Sequence, residues 1–385
     1  MTAGRIPVAR PDLGPEEAEA VARVLATGWI TQGPEVARLE EELAAFLGAP
    51  HAVAVSSCTT ALHLALLAAG VGPGDEVVVP SHSFIATANA VRHAGATPVF
   101  ADVELATLNL DPADVARRIG PRTRAVLAVH QLGIPADLAP LQALCDRHGL
   151  ALLEDAACAI GSEVRRDGRW ERVGKPHSRA ACFSFHPRKL LTTGDGGMIV
   201  TADPAFADAC RRMRQHGMSL TDLQRHGAER VVFEEYAGPG FNYRLTDLQA
   251  AVGRVQLRKL PGLIARRREL AARYLRGLAG VEELVLLEEP ARARWNWQSF
   301  YVRLGERCAR ALVEVMEALL AQGIATRRGV MCSHLEPAFA GSPRAGLERS
   351  ELLRDRGLIL PLFGSMTDEQ VDRVIAALRA AVGAG

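Results

Sequence analysis

Short apolar runs recur along the first half of the chain, and segments of helical periodicity separate them. Most of the runs are too apolar for strands with one face in water, so they predict a sheet that is covered on both faces. The runs cover residues 52–55, 76–79, 97–101, 125–129, 151–154, 181–185 and 197–201, and helices are predicted between them over 59–69, 85–93 and 138–148. This alternation predicts an α/β doubly wound domain with a mainly parallel sheet.

Two helices precede this domain, and a different pattern follows it. An amphipathic helix is predicted over residues 13–27, with Pro15 in its first turn, and a second helix ends near residue 47. A long, largely helical run then covers residues 245–278, and we expect Pro261 and Gly262 to interrupt it. Strands at 299–304 and 358–362 and helices at 309–322 and 367–382 complete the chain. We therefore expect a large domain over residues 1–249 and a smaller α+β domain over residues 250–385.

The composition limits which binding partners and which cellular compartment we expect for the protein. The chain has 385 residues, of which 48% are hydrophobic and 23% charged, and its net charge is +1. These values are typical of a globular protein and give no electrostatic reason to expect nucleic acid or an anionic membrane as a partner. No apolar segment resembles a signal peptide or a membrane span. The seven cysteines are scattered singly, without a C-x-x-C pair, which favours a reducing cytoplasm and argues against a structural metal.

One lysine stands out by its position. Of the 45 lysines and arginines only three are lysines, at positions 175, 189 and 259. Arginine stays protonated and does not condense with an aldehyde, so only these three positions are candidates for a Schiff base. Lys175 lies in a charged loop and Lys259 in an arginine-rich helical run, whereas Lys189 lies between two apolar strands beside a glycine turn. Burial there would favour an amine that loses its proton and acts as a nucleophile.

Polar groups also follow three other strands, where ligands of parallel sheets bind. Residues 56–63 pass directly from a strand into a helix, where an anion such as phosphate can bind, although Ser or Thr at this point is more often a plain N-cap. Phe84 follows the second strand and could stack on a flat ring or anchor a helix in the core. Asp155 ends an apolar strand and needs a cationic partner, either a protonated pyridine nitrogen or a structural salt bridge.

Taken together, these groups point to one cofactor. Ser184 and Thr193 flank Lys189 and can hydrogen-bond a phosphate. An amine, a counter-acid for a ring nitrogen, a stacking aromatic residue and a phosphate site are what pyridoxal 5′-phosphate (PLP) requires. The sequence therefore predicts a PLP site at the carboxyl edge of the sheet.

Five blocks of sequence carry a family resemblance. They are Ser-Ser-x-Thr-x-Ala-Leu from residue 56, Pro-x-x-Ser-Phe-Ile-Ala-Thr-Ala-Asn-Ala from 80, Glu-Asp-Ala-Ala from 154, Phe-Ser-Phe-His-x-x-Lys-x-x-Thr-Thr-Gly-x-Gly-Gly from 183, and Gly-Phe-Asn-Tyr-Arg-Leu-Thr-Asp-Leu-Gln-Ala from 240. In order and spacing they resemble the DegT/StrS family. This family consists of fold-type I PLP enzymes, mostly aminotransferases that act on keto-sugars of nucleotide-linked precursors. The resemblance extends from about residue 28 to the C-terminal helix.

The resemblance implies a role for each matching residue. Lys189 would form the Schiff base with PLP and carry the proton between the cofactor and the substrate carbon. Asp155 would pair with the pyridine nitrogen, and Phe84 would stack on the ring. The phosphate would be held by Cys58, Thr59, Ser184 and, from the neighbouring subunit of a homodimer with shared sites, Asn242.

Three further positions match residues that line the sugar side of the pocket in the family: Trp29, His216 and His334. The chain departs from the family pattern at Cys58, where glycine is usual, and at Cys158, where glutamine or histidine is commonest. These departures leave the subfamily and the acceptor open.

The resemblance implies a cytoplasmic, dimeric PLP-dependent aminotransferase. The expected reaction moves an amino group from L-glutamate or L-glutamine to a keto-sugar, linked to a nucleotide, in amino-sugar, natural-product or surface-glycan biosynthesis. One alternative is transamination of a non-nucleotide ketone such as a cyclitol, and another is a PLP-binding regulatory protein without turnover. PLP-dependent dehydration goes with a histidine in place of the lysine in this family, so Lys189 argues against it.

Overall fold

All seven apolar runs of the first half form strands of a single sheet. The computed structural model describes residues 4–220, 225 and 230–383. Its first nine strands are β1 (His51–Val55), β2 (Glu76–Pro80), β3 (Thr97–Ala101), β4 (Thr123–Val129), β5 (Ala151–Asp155), β6 (Glu163–Arg166), β7 (Arg169–Arg172), β8 (Ala180–Ser184) and β9 (Gly197–Thr201). The large sheet has the order β1-β9-β8-β5-β4-β2-β3. The prediction of an α/β fold is confirmed.

The direction of the strands collects their ends at one edge. From β8 to β3 all neighbours are parallel, and only β9 runs antiparallel, against both β1 and β8. The carboxyl ends of β1, β2, β4, β5 and β8 therefore lie at the same edge as the start of β9. This is the edge at which ligands bind in open α/β sheets.

Helices cover both faces of the sheet, as its apolar strands require. The helices before the C-terminal region are α1 (Pro15–Thr27), α2 (Pro34–Leu47), α3 (Cys58–Ala68), α4 (Ala86–His93), α5 (Pro112–Arg118), α6 (Leu138–His148) and α7 (Pro204–Met213). Alternate residues of the strands pack against α3, α4 and α7 on one face. The intervening residues pack against α2 or against α5 and α6 on the other face.

A long helix leads from the sheet to a second core. Helix α8 (Asp247–Leu278) continues through Pro261, so the predicted interruption is wrong. Proline removes the hydrogen bond that position 261 would give to the carbonyl of Leu257 and disfavours a helix interior. Packing outweighs that cost, because Leu257 and Leu260 before the proline lie in one core, whereas Tyr274 after it lies in the other.

The second core surrounds a four-stranded antiparallel sheet. Its strands are β10 (Leu284–Leu286), β12 (Phe300–Leu304), β13 (Arg327–Arg328) and β14 (Gly357–Leu360), and β11 (Ala293–Arg294) lies outside it. Helices α9 (Leu312–Ala321), α10 (Glu348–Arg356) and α11 (Asp368–Val382) accompany the sheet. Ile6 of the N-terminal segment is buried in this core and pairs with Ile324. The division into domains at residue 249 stays a prediction.

Strands β6, β7 and β11 form a small sheet that the apolar pattern did not predict. Strands β6 and β7 are rich in arginine and lack an apolar run. Asp167 and Gly168 connect them, with φ values of 48° and 79°. Asp-Gly with positive φ is a strong hairpin signal, so the turn could have revealed these strands.

Among the residues that the structure describes, no helix is both long enough and apolar enough to cross a membrane.

Candidate active site

The loop between β8 and β9 holds Lys189 in a fixed position. The Lys189 N–H donates to the carbonyl of His186 at 2.8 Å. Further along the loop, Thr192 Oγ1 donates to the carbonyl of Phe185 at 2.9 Å. Gln298, from the segment before β12, accepts a hydrogen bond from Leu190 N and donates another to the carbonyl of Arg188. Hydrogen bonds thus hold the backbone on both sides of Lys189.

A cavity of about 350 Å³ opens at this edge of the sheet, between the two cores. Its walls come from the strand ends of the large sheet and, on the other side, from the N-terminal segment and strands β13 and β14. Six of the ten predicted site residues line it: Cys58, Thr59, Phe84, Asp155, Ser184 and Lys189. The sequence prediction that these strand ends meet agrees with this geometry.

The amine of Lys189 faces a thiol and a carboxylate. Its Nζ donates to Cys158 Sγ at 2.9 Å. Burial alone would lower the pKa of Lys189, but the neighbouring Cys158 and Asp155 raise it, and the net shift is upward. Burial acts in the expected direction, and the expectation that this lysine loses its proton in the working enzyme stays a prediction.

Asp155, the last residue of β5, is buried and hydrogen-bonded on both oxygens. Thr87 Oγ1 donates to Oδ2 at 2.8 Å, and the Ala157 N–H donates to Oδ1 at 3.1 Å. Burial raises the pKa of Asp155, whereas the two hydrogen bonds and the charge of Lys189 lower it, and burial prevails. The carboxyl group lines the same cavity as the lysine.

The N-terminus of α3 offers a site for an anion. Ser57 caps the helix by accepting from Thr60 N at 3.1 Å. The N–H groups of Cys58 and Thr59, in the first turn, have no partner within the helix and suit a phosphate. The Cys58 thiol donates to the carbonyl of Cys182 at 3.6 Å, so Cys58 would contribute its backbone to such a site.

A glycine allows β9 to begin against this helix. A Cβ on Gly197 would lie 2.5 Å from the carbonyl carbon of Ser57 and 2.7 Å from Cys58 N. Any other residue at position 197 would therefore displace the start of α3. The close approach keeps the helix N-terminus beside Ser184 and Lys189 at the cavity wall.

Phe84 lies at the rim of the cavity with 59% of its surface exposed. The alternative that it anchors a helix in the core is therefore wrong. A phenyl ring that remains exposed beside a cavity is suited to stacking on a flat ligand.

The other four predicted residues do not line the cavity within the single chain. Trp29 lines a separate depression with residues of α2 and α8, and its Nε1 donates to the carbonyl of Gln32 at 3.2 Å. His216 N donates to the carbonyl of Phe241, and Asn242 pairs with Gln215.

His334 has a different surrounding. Its side chain is wholly buried, with Nδ1 against Ser81 Oγ and Nε2 3.0 Å from Glu351 Oε1. In this structure it therefore links the end of β2 to α10. The roles assigned to Trp29, His216, His334 and Asn242 stay predictions.

Sequence reasoning missed some residues that support the site. Thr87 and Gln298 were not singled out, although one contacts Asp155 and the other holds the lysine loop. Asn296 is wholly buried and donates to the carbonyls of Cys158 and Ile160 at 2.8 and 2.9 Å. The alternation of amides with tryptophans over residues 295–298 is a sequence signal that could have identified this segment, since amides buried among apolar neighbours need partners.

A second, larger cavity adjoins the first one at His130, which lines both. Its volume is about 870 Å³, and its walls include residues 104–107, 165–167 and 172–175. None of the ten predicted site residues lines it. The chemistry described above therefore belongs to the smaller cavity.

An amine, a buried carboxylate, an exposed aromatic ring and a helix N-terminus converge on the smaller cavity. They match what PLP requires: a partner for its aldehyde, a counter-charge for its ring nitrogen, a stacking surface and a phosphate site. The residues present therefore fit this cofactor. Fold and site together define the class of the protein as a PLP-dependent enzyme of fold type I.

The family follows from comparison with known proteins. Residues 11–379 match the model of the DegT/DnrJ/EryC1/StrS aminotransferase family. The chain belongs to this family and is a PLP-dependent aminotransferase. The resemblance seen in the five sequence blocks is confirmed.

Solved structures are similar to the chain over almost its whole length. S. venezuelae DesV, solved in complex with a ketimine intermediate, is 40% identical; the match covers 99% of each chain with a TM-score of 0.89. The aminotransferase TlmJ from Streptoalloteichus hindustanus is 36% identical, with 98% of this chain and 99% of that chain covered and a TM-score of 0.89. DesI, solved in the presence of its TDP-sugar product, is 34% identical, with 98% and 93% covered and a TM-score of 0.88.

Proposed function

We propose that the protein transfers an amino group from L-glutamate or L-glutamine to a keto-sugar that is linked to a nucleotide. The observation that carries the proposal is the cavity in which Lys189, Asp155 and the N-terminus of α3 meet. DesI supports the choice of acceptor, because that relative was solved with a TDP-sugar product. The product would serve amino-sugar, natural-product or surface-glycan biosynthesis.

Two arginines favour anionic substrates. Arg188 and Arg327 line the cavity, and no ion pair within the described part of the chain involves either guanidinium. Unpaired arginines match the geometry of carboxylates and phosphates. A dicarboxylic donor and a nucleoside diphosphate on the acceptor would both supply such groups, whereas a neutral cyclitol would not.

Each cavity residue has a proposed task. When bound, PLP supplies an electron sink for the carbon that loses or gains a proton. Lys189 would bond the cofactor through its amine and would hold and move the proton at the substrate carbon. Asp155 would supply the counter-charge for the ring nitrogen, and Phe84 would offer the stacking surface. The backbone N–H groups of Cys58 and Thr59, together with the hydroxyls of Thr59 and Ser184, hold the phosphate.

We propose a homodimer in which each subunit completes the partner's site. Asn242 would reach the partner's phosphate site, and Trp29, His216 and His334 would lie on the sugar side. Support comes from the segment before Asn242, where Val231 and Phe233 are 82% and 86% exposed. Apolar side chains so exposed favour a covering surface. The seven free cysteines are compatible with a reducing cytoplasm.

The absorption spectrum of the purified protein with PLP tests the reaction. We expect L-glutamate or L-glutamine to shift the cofactor band of the native enzyme, and expect no such turnover in Lys189→Ala. Lys175→Ala is the matched control, because Lys175 bonds to Glu171 outside the cavity, and it should behave like the native enzyme. Failure to take up supplied PLP would refute the proposal, and a band that neither donor moves would refute the donor.

The acceptor is tested in the second half of the reaction. The amine-loaded enzyme is mixed with a nucleotide-linked keto-sugar or with a cyclitol ketone, and the return of the original band is followed. If the original band returns only with the nucleotide-linked keto-sugar, the proposed acceptor is supported. If it returns only with the cyclitol ketone, the acceptor is a cyclitol ketone and the proposed one is wrong.

A further inference from the structure

Two buried hydroxyl groups continue the hydrogen bonding of Asp155: Thr87, which does not line the cofactor cavity, and Ser83, which returns to its wall. Thr87, in the first turn of α4, is 1% exposed, and its Oγ1 lies 2.8 Å from Asp155 Oδ2. Ser83, in the turn before α4, is 2% exposed, and its Oγ lies 2.9 Å from Thr87 Oγ1. The three side chains form a continuous chain of hydrogen bonds from the end of β2 to the end of β5.

The direction of this chain follows from the number of protons available. A carboxylate only accepts hydrogen bonds, so Thr87 must donate its single hydroxyl proton to Asp155. Thr87 then accepts from Ser83, which must be the donor of that bond. Each hydroxyl therefore presents its proton toward Asp155 and favours the charged form of the carboxyl group.

Few full charges face Asp155 from the surrounding elements. Cys58 of α3 and Cys182 of β8 are neutral thiols, because burial raises the pKa of both well above the ordinary value. The Ala136 N–H donates to Nδ1 of His130, at the end of β4, so the ring carries its proton on Nε2, toward Glu154.

Lys189 remains as the cation that faces Asp155 within the described part of the chain. In the proposed reaction this amine bonds the cofactor, so its charge does not permanently support the carboxylate. The hydroxyl chain and the Ala157 N–H are the protein donors that stay in place.

We propose that Ser83 and Thr87 are positioning residues that keep Asp155 ionised and aimed at the ring nitrogen of the cofactor. The inference rests on the proposed role of Asp155. Neither residue touches the reacting atoms in this account; both act through the carboxylate.

The test measures the affinity for PLP as a function of pH. A carboxyl group with a raised pKa loses its charge as the pH falls through that pKa, and burial already raises the pKa of Asp155. Thr87→Val keeps the shape but removes a donor. The loss of affinity on acidification should therefore begin about one pH unit higher than in the wild type, with roughly tenfold weaker binding in between. Thr87→Ser should restore the wild-type profile, and Ser83→Ala should move it in the same direction by less.

Two reference variants separate the possible causes. Thr201→Val also removes a buried threonine hydroxyl, one that donates to the carbonyl of Arg179 at 2.7 Å at the far end of β9, and it should leave the profile unchanged. Asp155→Asn should abolish the acid-dependent loss that belongs to this carboxyl group.

The outcomes distinguish this inference from the proposed function. If Asp155→Asn alters the profile but Thr87→Val and Ser83→Ala behave like Thr201→Val, the hydroxyl chain has no such role and the function stands. If the PLP affinity of Asp155→Asn depends on pH in the same way as that of the wild type, the proposed role of Asp155 fails and the inference fails with it. If Thr87→Val does not fold, the Ser83→Ala profile decides, and a wild-type profile there overturns the inference.

Discussion

The two cavities of this chain differ in how their charged groups are satisfied. In the larger one, several polar and charged side chains already have a partner within the described chain: Lys175 and His177 bond to Glu171, Arg292 to Asp137, Arg349 to Asp102, and His130 to Glu154. In the smaller one, Lys189 meets only a thiol and a carboxyl group that it does not bridge, and Arg188 and Arg327 join no ion pair within the described chain. Arg165 and Arg166 of the larger cavity also join no ion pair within the described chain, so the smaller cavity differs in its amine and its buried carboxyl group, which do not bond to each other.

This difference has a physical explanation. A charged group that already has a partner has little further interaction to offer a ligand, whereas a buried group without a full partner gains by binding one. The position of an active site therefore follows unsatisfied chemistry rather than cavity size.

The largest expected effect compares the two lysines. Lys189→Ala should lower transamination by at least about 10³-fold, because the residue both bonds the cofactor and moves the proton. Lys175→Ala, which only breaks a bond to Glu171, should keep turnover within about twofold. Single-turnover absorbance measurements give both rates. A large loss in Lys175→Ala would show that the larger cavity takes part in the reaction.

Neighbouring acids on β5 provide the second comparison. Side chains alternate along a strand, so Glu154 faces the larger cavity and Asp155 the smaller one. Asp155→Asn should reduce kcat by roughly 10²-fold, because the ring nitrogen loses its counter-charge.

Glu154→Gln should instead lower the free energy of unfolding by about 2 kcal/mol, since it disturbs the bonds from His130 and Ser178. Denaturant unfolding and kcat are measured for both variants. A catalytic defect in Glu154→Gln that exceeds that of Asp155→Asn would contradict the assignment.

The arginines provide a third, smaller effect. Arg327→Met should raise KM for an anionic substrate about tenfold, because one charge-assisted hydrogen bond is lost. Arg292→Met, in the larger cavity, removes an arginine that already bonds to Asp137 and should leave KM unchanged. Steady-state kinetics with both substrates assign the loss to the donor or to the acceptor. Equal KM values in the two variants would mean that Arg327 does not contact substrate.

Local sequence patterns predicted the seven strands and Lys189, but not the residues that support them. The strands are visible because each is an apolar run, and the lysine because only three lysines exist. Thr87 meets Asp155 across 68 residues of chain, and Gln298 meets Leu190 across 108. Such contacts depend on which strand ends become neighbours, and no local pattern encodes that.

Predictions from local sequence patterns failed in two places, one rich in charged residues and one containing a proline. Arginine-rich β6 and β7 look like a loop because their stability comes from pairing rather than from an apolar face. Pro261 looks like a helix end because the packing of α8 on both cores is not visible in the local sequence. In both cases tertiary contacts outweigh a local preference.

The smallest expected effect concerns the thiols and tests the access that distinguishes the smaller cavity. Cys158 is the one cysteine of the seven that is not buried. Burial raises the pKa of Cys145 and Cys210 to about 12, so both stay protonated and unreactive at neutral pH. Iodoacetamide should therefore attach about one label per cofactor-free chain, at Cys158, as peptide mass spectrometry can verify.

Added PLP should slow the labelling of Cys158, because the cofactor would occupy the cavity that this thiol lines together with Lys189. Cys158→Ala is the matched control and should take up almost no label in the same time. Labelling at Cys58 before Cys158 would mean that the cavity opens more widely than its walls here allow. Labelling of Cys158 that PLP does not slow would place the cofactor away from Lys189, and the contrast between the two cavities would then lose its functional meaning.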